Sequence, residues 1–272
     1  MTVQTEKTDL KKKRIALLRS DDAHHIYLDY HLSDRFSLVC RIIEPAGNQR
    51  RKLLSNKRYQ DYIYTIYHIW RRQLLGLNRY RHLYFTIPIA ESKATACPTI
   101  TVDSINNSQV KDLLKQTSPD VTVIICTSIL TKETLDAAGA TVINIHGGYL
   151  PAYRGNHCFF FAVLNQDFDR IGSTIHFVDA GIDTGDIIER VVPDIHQTDI
   201  PEALYCRAEK MAIHRLIQWL DYLEHGGTLP RSPQSYRGRL YRTRDRGPIL
   251  DLMMWLRRIA GRLILPKRTA PS

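Results

Sequence analysis

Short apolar runs bounded by turn residues recur along the chain at 14–18, 36–43, 121–126 and 141–145, and each reads as a buried strand. Helical spacing occupies 22–32 after the first run, 108–117 before the third, and 131–138, which opens with Thr131-x-Glu133. This β-α-β alternation predicts an α/β fold with a Rossmann-like, doubly wound, mostly parallel sheet. Ligands bind beyond the carboxyl ends of strands in such sheets, and 144–148 is one such end. Further on, 175–187 reads as a strand running into a glycine-punctuated loop, and 185–192 as another strand. A helix is expected over 200–225, stopped by Gly226-Gly227.

Two stretches fall outside the alternation. The first is an insertion at about 48–95. Its segment 49–84 carries nine Lys/Arg residues, six tyrosines and one acid, Asp61, at helical spacing. A helical hairpin packed on the sheet with solvated basic faces accounts for it better than a nucleic-acid surface, because basic-aromatic mixtures are weak evidence for nucleic acid. The second is 229–272. Residues 229–246 are rich in Pro, Gly and Arg and expected to be irregular, while 249–265 is apolar and bears Arg257, Arg258 and Arg262. That tail is expected to be an amphipathic helix used for packing, for a homodimer contact, or for peripheral contact with a membrane. The expected division is therefore a catalytic domain over 1–228, including the insertion, and a basic C-terminal extension over 229–272.

The 272 residues carry a formal net charge of +10, concentrated at 50–81 and 231–268. Such a surplus suits nucleic acid, an anionic membrane, a phosphorylated substrate or a polyglutamylated cofactor. No apolar run reaches the roughly 20 residues of a spanning helix. Residues Met1 to Arg14 are charged with no apolar h-region behind them, so a cytoplasmic protein is expected. Five cysteines, odd in number and without a C-x-x-C pair, argue against a disulfide framework and a zinc site and are expected to be buried thiols.

The run from Val142 to Gly155 places Asn144 and His146 on one side of a strand end. Two polar groups on one buried face must find partners or meet a ligand. Gly147-Gly148 removes side chains where a ligand could approach, and Pro151 and Gly155 shape a fixed loop. The loop after 175 adds Asp179, Asp183 and Asp186. An Asn, a His and an Asp suit acyl transfer: a donor for a developing oxyanion, a general acid or base, and a carboxylate that orients the imidazole. No serine or cysteine is placed for a covalent intermediate, which implies direct attack by the acceptor. His176, on its strand, either orients the loop or fills the core. His157 either contacts substrate or starts a helix, and His24-His25 are equally open.

Three ordered motifs, Asn144-Ile-His146, Leu150-Pro151-x-Tyr153-Arg154-Gly155, and Gly172-Ser-Thr-Ile-His176-Phe-Val-Asp179-x-Gly181-Ile-Asp183-Thr-Gly185-Asp-Ile187, resemble the formyltransferases that use N10-formyltetrahydrofolate. The resemblance spans about 119–223 and omits the insertion and tail. It implies a folate pocket formed by Thr127, Ser128, Ile129 and Leu130 with Asp179, Ala180, Gly181 and Ile182. It also implies that Asn144 and a protonated His146 stabilise the oxyanion while Asp183 holds the imidazolium and relays the amine's proton, with no metal. Gly147, Gly148, Tyr149, Arg154 and His157 are the expected substrate contacts.

The family acts on glycinamide ribonucleotide, methionyl-tRNA and nucleotide-linked amino sugars. Glycinamide ribonucleotide enzymes carry a Gly/Ser-rich turn after the first strand that cradles phosphate, where this chain has Arg19-Ser-Asp-Asp-Ala-His-His25. The tRNA enzymes follow the catalytic domain with a barrel domain of about a hundred residues, whereas 272 − 226 leaves 46 residues after Gly226. The sequence Ile-His-Gly-Gly-Tyr-Leu-Pro resembles the amino-sugar members most. The expected acceptor is a primary amine, a nucleotide-linked amino sugar or another specialised amine, and phosphate-bearing; a glycinamide ribonucleotide or tRNA acceptor, or a non-catalytic folate- or nucleotide-binding role, are the alternatives.

Overall fold

The computed structural model describes residues 12–87 and 97–270. Most of the charged N-terminus, and residues 88–95 of the expected insertion, lie outside the described residues. Seven strands form the central sheet in the order β3-β2-β1-β4-β5-β7-β8. Five run parallel: β1 (Arg14–Arg19), β2 (Ser37–Ile43), β3 (Thr99–Thr101), β4 (Val121–Ile125) and β5 (Val142–His146). Of the last two, β7 (Ser173–Phe177) runs antiparallel to both its neighbours, β5 and β8 (Ile187–Val191). Strand alternation splits the core in two. Ile15, Leu17, Val121, Val123, Ile143 and Ile145 pack against α1 (Ala23–Arg35) and α8 (Pro201–Glu224). Ala16, Leu18, Ile124 and Val142 pack against α5 (Ser108–Thr117) and α6 (Lys132–Ala137) on the other face.

The insertion forms three helices rather than a hairpin: α2 (Ala46–Ser55), α3 (Tyr59–Leu74) and α4 (Asn78–Tyr84). Its basic face is not simply solvated, since the side chains of Arg71 and Arg81 are only 10% and 15% exposed. Arg71 meets Glu202 at the start of α8 at 2.6 Å, and Tyr67 donates to Asp251 at 2.7 Å. Arg246 joins the same two carboxylates, at 3.3 Å from Glu202 and 2.6 Å from Asp251.

The tail is woven into the fold. Its strand β9 (Arg239–Tyr241) pairs with β6 (Tyr153–Gly155), Ser232 bridges Ile187, and Arg268 bridges Ile195. The expected irregular stretch 229–246 thus contains a strand, one too short to show a periodicity. Helix α9 (Pro248–Ile259) ends sooner than the apolar run 249–265 suggests, with Gly261 at φ 65 behind it. Met254 is buried in a cluster with α7 (Cys158–Leu164), whereas Ile249, Leu252, Trp255 and Ile259 are exposed. Among the described residues no helix is long and apolar enough to cross a membrane.

Candidate active site

A cavity of about 650 Å³ opens beyond the carboxyl ends of β4 and β5. Asn144, His146 and Asp183 lie together on its floor, under a roof made by α3, the 242–246 segment and the start of α8. The strand pairing explains their assembly. Asn144 stands opposite His176 across the β5–β7 ladder, and the loop after β7 returns Asp183 to the end of β5.

His146 is buried, with Nε2 2.9 Å from the Tyr153 carbonyl and Nδ1 3.5 Å from Asp183 Oδ2. A carbonyl can only accept, so Nε2 carries a proton and Nδ1 is the position at which Asp183 governs charge. Asp183 sits in the left-handed region at φ 52, and its Oδ2 accepts the Gly155 N–H at 2.9 Å. Burial alone would raise its pKa. His146, His176, the Gly155 N–H and Arg154 outweigh that and hold it below the usual carboxylate value.

His176 has a definite place in this arrangement. Its Nδ1–H donates to the Phe177 carbonyl at 2.7 Å, leaving the Nε2 lone pair to face Asn144 Nδ2 at 3.1 Å. That contact fixes the carboxamide with its NH₂ toward His176, and the second N–H of that group remains for a ligand. Burial pushes His176 down to about 4, keeping the ring a neutral acceptor.

The walls come from the loop after β4 and the loop after β7. Thr127, Ser128, Ile129 and Leu130 line one side, with Asp179, Gly181 and Ile182 on the other, while Ala180, expected among them, is not part of the lining. Glu44, fully buried at the end of β2, pins the first loop by accepting from the Ser128 N–H at 2.7 Å and the Ser128 hydroxyl at 3.1 Å. Asp179 folds the second loop on itself by accepting the Gly181 N–H at 2.9 Å.

Gly147 and His157 line the cavity. Gly148, Tyr149 and Arg154 do not, which departs from their expected role as substrate contacts. A Cβ at Gly148 would come within 2.4 Å of His146 Nε2, so this glycine makes room for the imidazole. Tyr149 stacks under Arg190 at 5.3 Å. Arg154, 2% exposed, donates Nε to the Ile182 carbonyl at 3.0 Å and so braces the Asp183 loop.

Several lining residues carry no sequence signal: His68, Arg71, Arg72 and Arg81 of the insertion, together with Glu202, Tyr205 and Arg246. Only the doubled Arg71-Arg72 in an apolar helix hinted at them. His24 and His25 are buried, and with Cys126 they bring ligand atoms within 4.8 Å of one another. Yet His24 Nε2 already meets the Tyr205 hydroxyl at 3.0 Å, and burial, the neighbouring His25 and Arg81 all push His24 well below its ordinary value. Of the cysteines, Cys40, Cys158 and Cys206 are buried, Cys97 is partly so, and Cys126 is exposed.

The sequence model of the formyl transferase family matches residues 70–220. A methionyl-tRNA formyltransferase from Methylacidiphilum infernorum is 33% identical over 135 residues, 49% of this chain and 41% of that protein. The chain thus aligns with about two fifths of the length of the curated relatives it matches. A sugar N-formyltransferase from Shewanella superposes with a TM-score of 0.57 at 17% identity, covering 90% of this chain and 87% of that one. A phosphoribosylglycinamide formyltransferase from Anaplasma phagocytophilum gives 0.55 at 17% identity, covering 85% and 99%. At such identities the likeness is one of fold.

Proposed function

The chain belongs to the formyl transferase family, and from that premise we propose that it moves a formyl group from N10-formyltetrahydrofolate to a primary amine, with a nucleotide-linked amino sugar as the acceptor class. The observation that carries the reading is the convergence of Asn144, His146 and Asp183 on one cavity floor. An Asn donor, an imidazole and an ionised carboxylate are the set that amine attack on a carbonyl carbon requires.

The donor fits the two walls. The slot between 127–130 and 179–182 joins apolar side chains, among them Ile129 at 64% exposure, to the backbone groups of two loops. That combination suits a flat heteroaromatic ring with a hydrogen-bonding edge. The bound folate supplies the activated formyl carbon. Asn144 offers its free N–H to the oxygen that gains charge. His146, its Nε2–H held by Tyr153, contributes positive charge when Nδ1 is protonated, and Asp183 stabilises that charge and receives the proton leaving the amine. His176 acts through Asn144 as a positioning residue.

The acceptor class draws support from the arginine-lined roof and from the motif style around His146 to Pro151. The uncovered side of α9, with Ile249, Leu252 and Trp255, supports a peripheral contact with a lipid surface or a second copy of the chain. The test offers N10-formyltetrahydrofolate with a panel of nucleotide-linked amino sugars, glycinamide ribonucleotide and methionyl-tRNA, and reads formylated product by mass. Product from the amino sugars is expected; product from glycinamide ribonucleotide alone refutes the acceptor assignment. His146→Ala should abolish transfer while folate still binds, and unchanged turnover would refute the mechanism.

A further inference from the structure

The roof of the cavity holds cationic groups for which the chemistry at the floor has no use. Arg71, Arg72, Arg81 and Arg246 all line it. Three have carboxylate partners: Arg71 with Glu202 at 2.6 Å, Arg246 with Asp251 at 2.6 Å, and Arg81 with Asp22 at 3.2 Å. Among the described residues Arg72 has no acid within 4 Å, and its Nε is shut off from solvent without a hydrogen-bond partner. A half-buried guanidinium without a close carboxylate gains when an anion meets it. Burial, with Arg81 and Arg71 adding to it, pushes its pKa down, and the more distant carboxylate of Asp22 offsets this only in part.

The histidines beside it repeat the pattern. His68 and His157 lie with ring centres 4.1 Å apart, and His68 is 5% exposed. His68 Nδ1 and His157 Nε2 are both buried with no hydrogen-bond partner. His157 is also held at φ 58, a left-handed conformation that a non-glycine residue keeps where the surroundings demand it. Its Nε2 meets no partner, and in the tautomer protonated there it would offer a donor to a ligand.

We propose that Arg72, with His157 beside it, is the seat for a phosphate or diphosphate group carried by the acceptor, supplied by the inserted helix α3 rather than by the strand ends. The planar guanidinium fork matches two oxygens of a phosphate, and the imidazole offers a third donor. Arg71, Arg81 and Arg246 each make a close ion pair, whereas Arg72 makes none with a described residue and so stays open to a ligand. Arg242, exposed at the rim among the lining residues, adds a second cation along the entry path. The proposal rests on the reading of this cavity as a transferase site, but its test does not require turnover.

Pyrophosphate is titrated calorimetrically at low salt into the native chain and into Arg72→Ala, Arg72→Lys and the control Arg79→Ala. Arg79 is an exposed cation of α4 outside the cavity lining. Binding to the native chain is expected, weakened tenfold or more in Arg72→Ala, partly retained in Arg72→Lys and unchanged in Arg79→Ala. Pyrophosphate should also raise the melting temperature of the native chain and not that of Arg72→Ala. No binding by the native chain, or equal losses in Arg72→Ala and Arg79→Ala, overturns the proposal. A tetraglutamate peptide serves as the second probe. If it binds more tightly than pyrophosphate and depends on Arg72, the seat belongs to a folate tail and the proposal fails. Pyrophosphate binding through Arg72 with no formylation of any amine would leave the seat standing and refute the transfer reading instead.

Discussion

Replacing Asp183 by Asn tests the centre of the mechanism with little disturbance to the fold. Asparagine tolerates the φ of 52 as aspartate does, and its amide oxygen can still accept the Gly155 N–H. What disappears is a negative charge 3.5 Å from His146 Nδ1. At an effective dielectric of about 20, a unit pair at that distance is worth roughly 5 kcal/mol. The Asp183 side chain is 14% exposed, and solvent screening reduces the differential effect to about 3–4 kcal/mol. Each factor of ten in rate corresponds to about 1.4 kcal/mol, so single-turnover formyl transfer should slow by roughly 10²- to 10³-fold. The loss should fall on the chemical step, with acceptor and folate KM within about threefold of native, because the imidazolium matters only as charge develops. A loss smaller than tenfold, or a raised KM with the rate intact, would mean that Asp183 merely shapes the loop.

Two further expectations concern pH. Burial pushes Glu209 from 4.5 up to about 8, and the Ser173 hydroxyl only partly offsets this. Its folded pKa is raised, so its contribution to stability is complete below pH 4.5 and is lost as pH climbs toward 8. Glu209→Gln should therefore stabilise the fold at pH 7 by up to about 3 kcal/mol and little at pH 4.5, seen as a pH-dependent gap between urea midpoints; parallel native and variant profiles would contradict it. Burial acts in the opposite sense on His25, His68 and His176, lowering them from 6.5 to about 3, 4 and 4. Their folded pKa values are depressed, so stability is full above pH 6.5 and falls by about 1.4 kcal/mol per histidine per pH unit below it, with Glu209 offsetting about one of them. Denaturant midpoints at pH 7, 6 and 5 should drop steeply, and a flat profile would mean that these rings are not buried in the neutral form.

Much of the sheet was legible because burial writes itself into apolar spacing. The runs behind β1, β4 and β5, and the full extent of α8, stand out for that reason. Asn144, His146 and Asp183 were legible for the converse reason, as polar groups where the pattern asks for apolar ones. Three-residue strands such as β3, β6 and β9 are shorter than any period and left no trace. Nor can a helix announce which neighbour will cover its charged side. Arg71 reads as a solvated residue until Glu202, 131 positions away, arrives beside it. Arg154 illustrates a subtler gap, since a conspicuous arginine next to a site serves the loop that carries Asp183 rather than the ligand.

The ceiling of the cavity is held mostly by contacts between distant parts of the chain. Tyr67 and Asp251, 184 positions apart, and Arg246 and Glu202, 44 positions apart, converge on one knot of two carboxylates and two guanidiniums. Loops of that length close only after the sheet has given their ends a place to meet. Once closed, no member can leave alone, because each departure strands an opposite charge away from water. A substitution at any one member of the knot is therefore felt at once by α3, the start of α8 and α9, the three elements that cover the site.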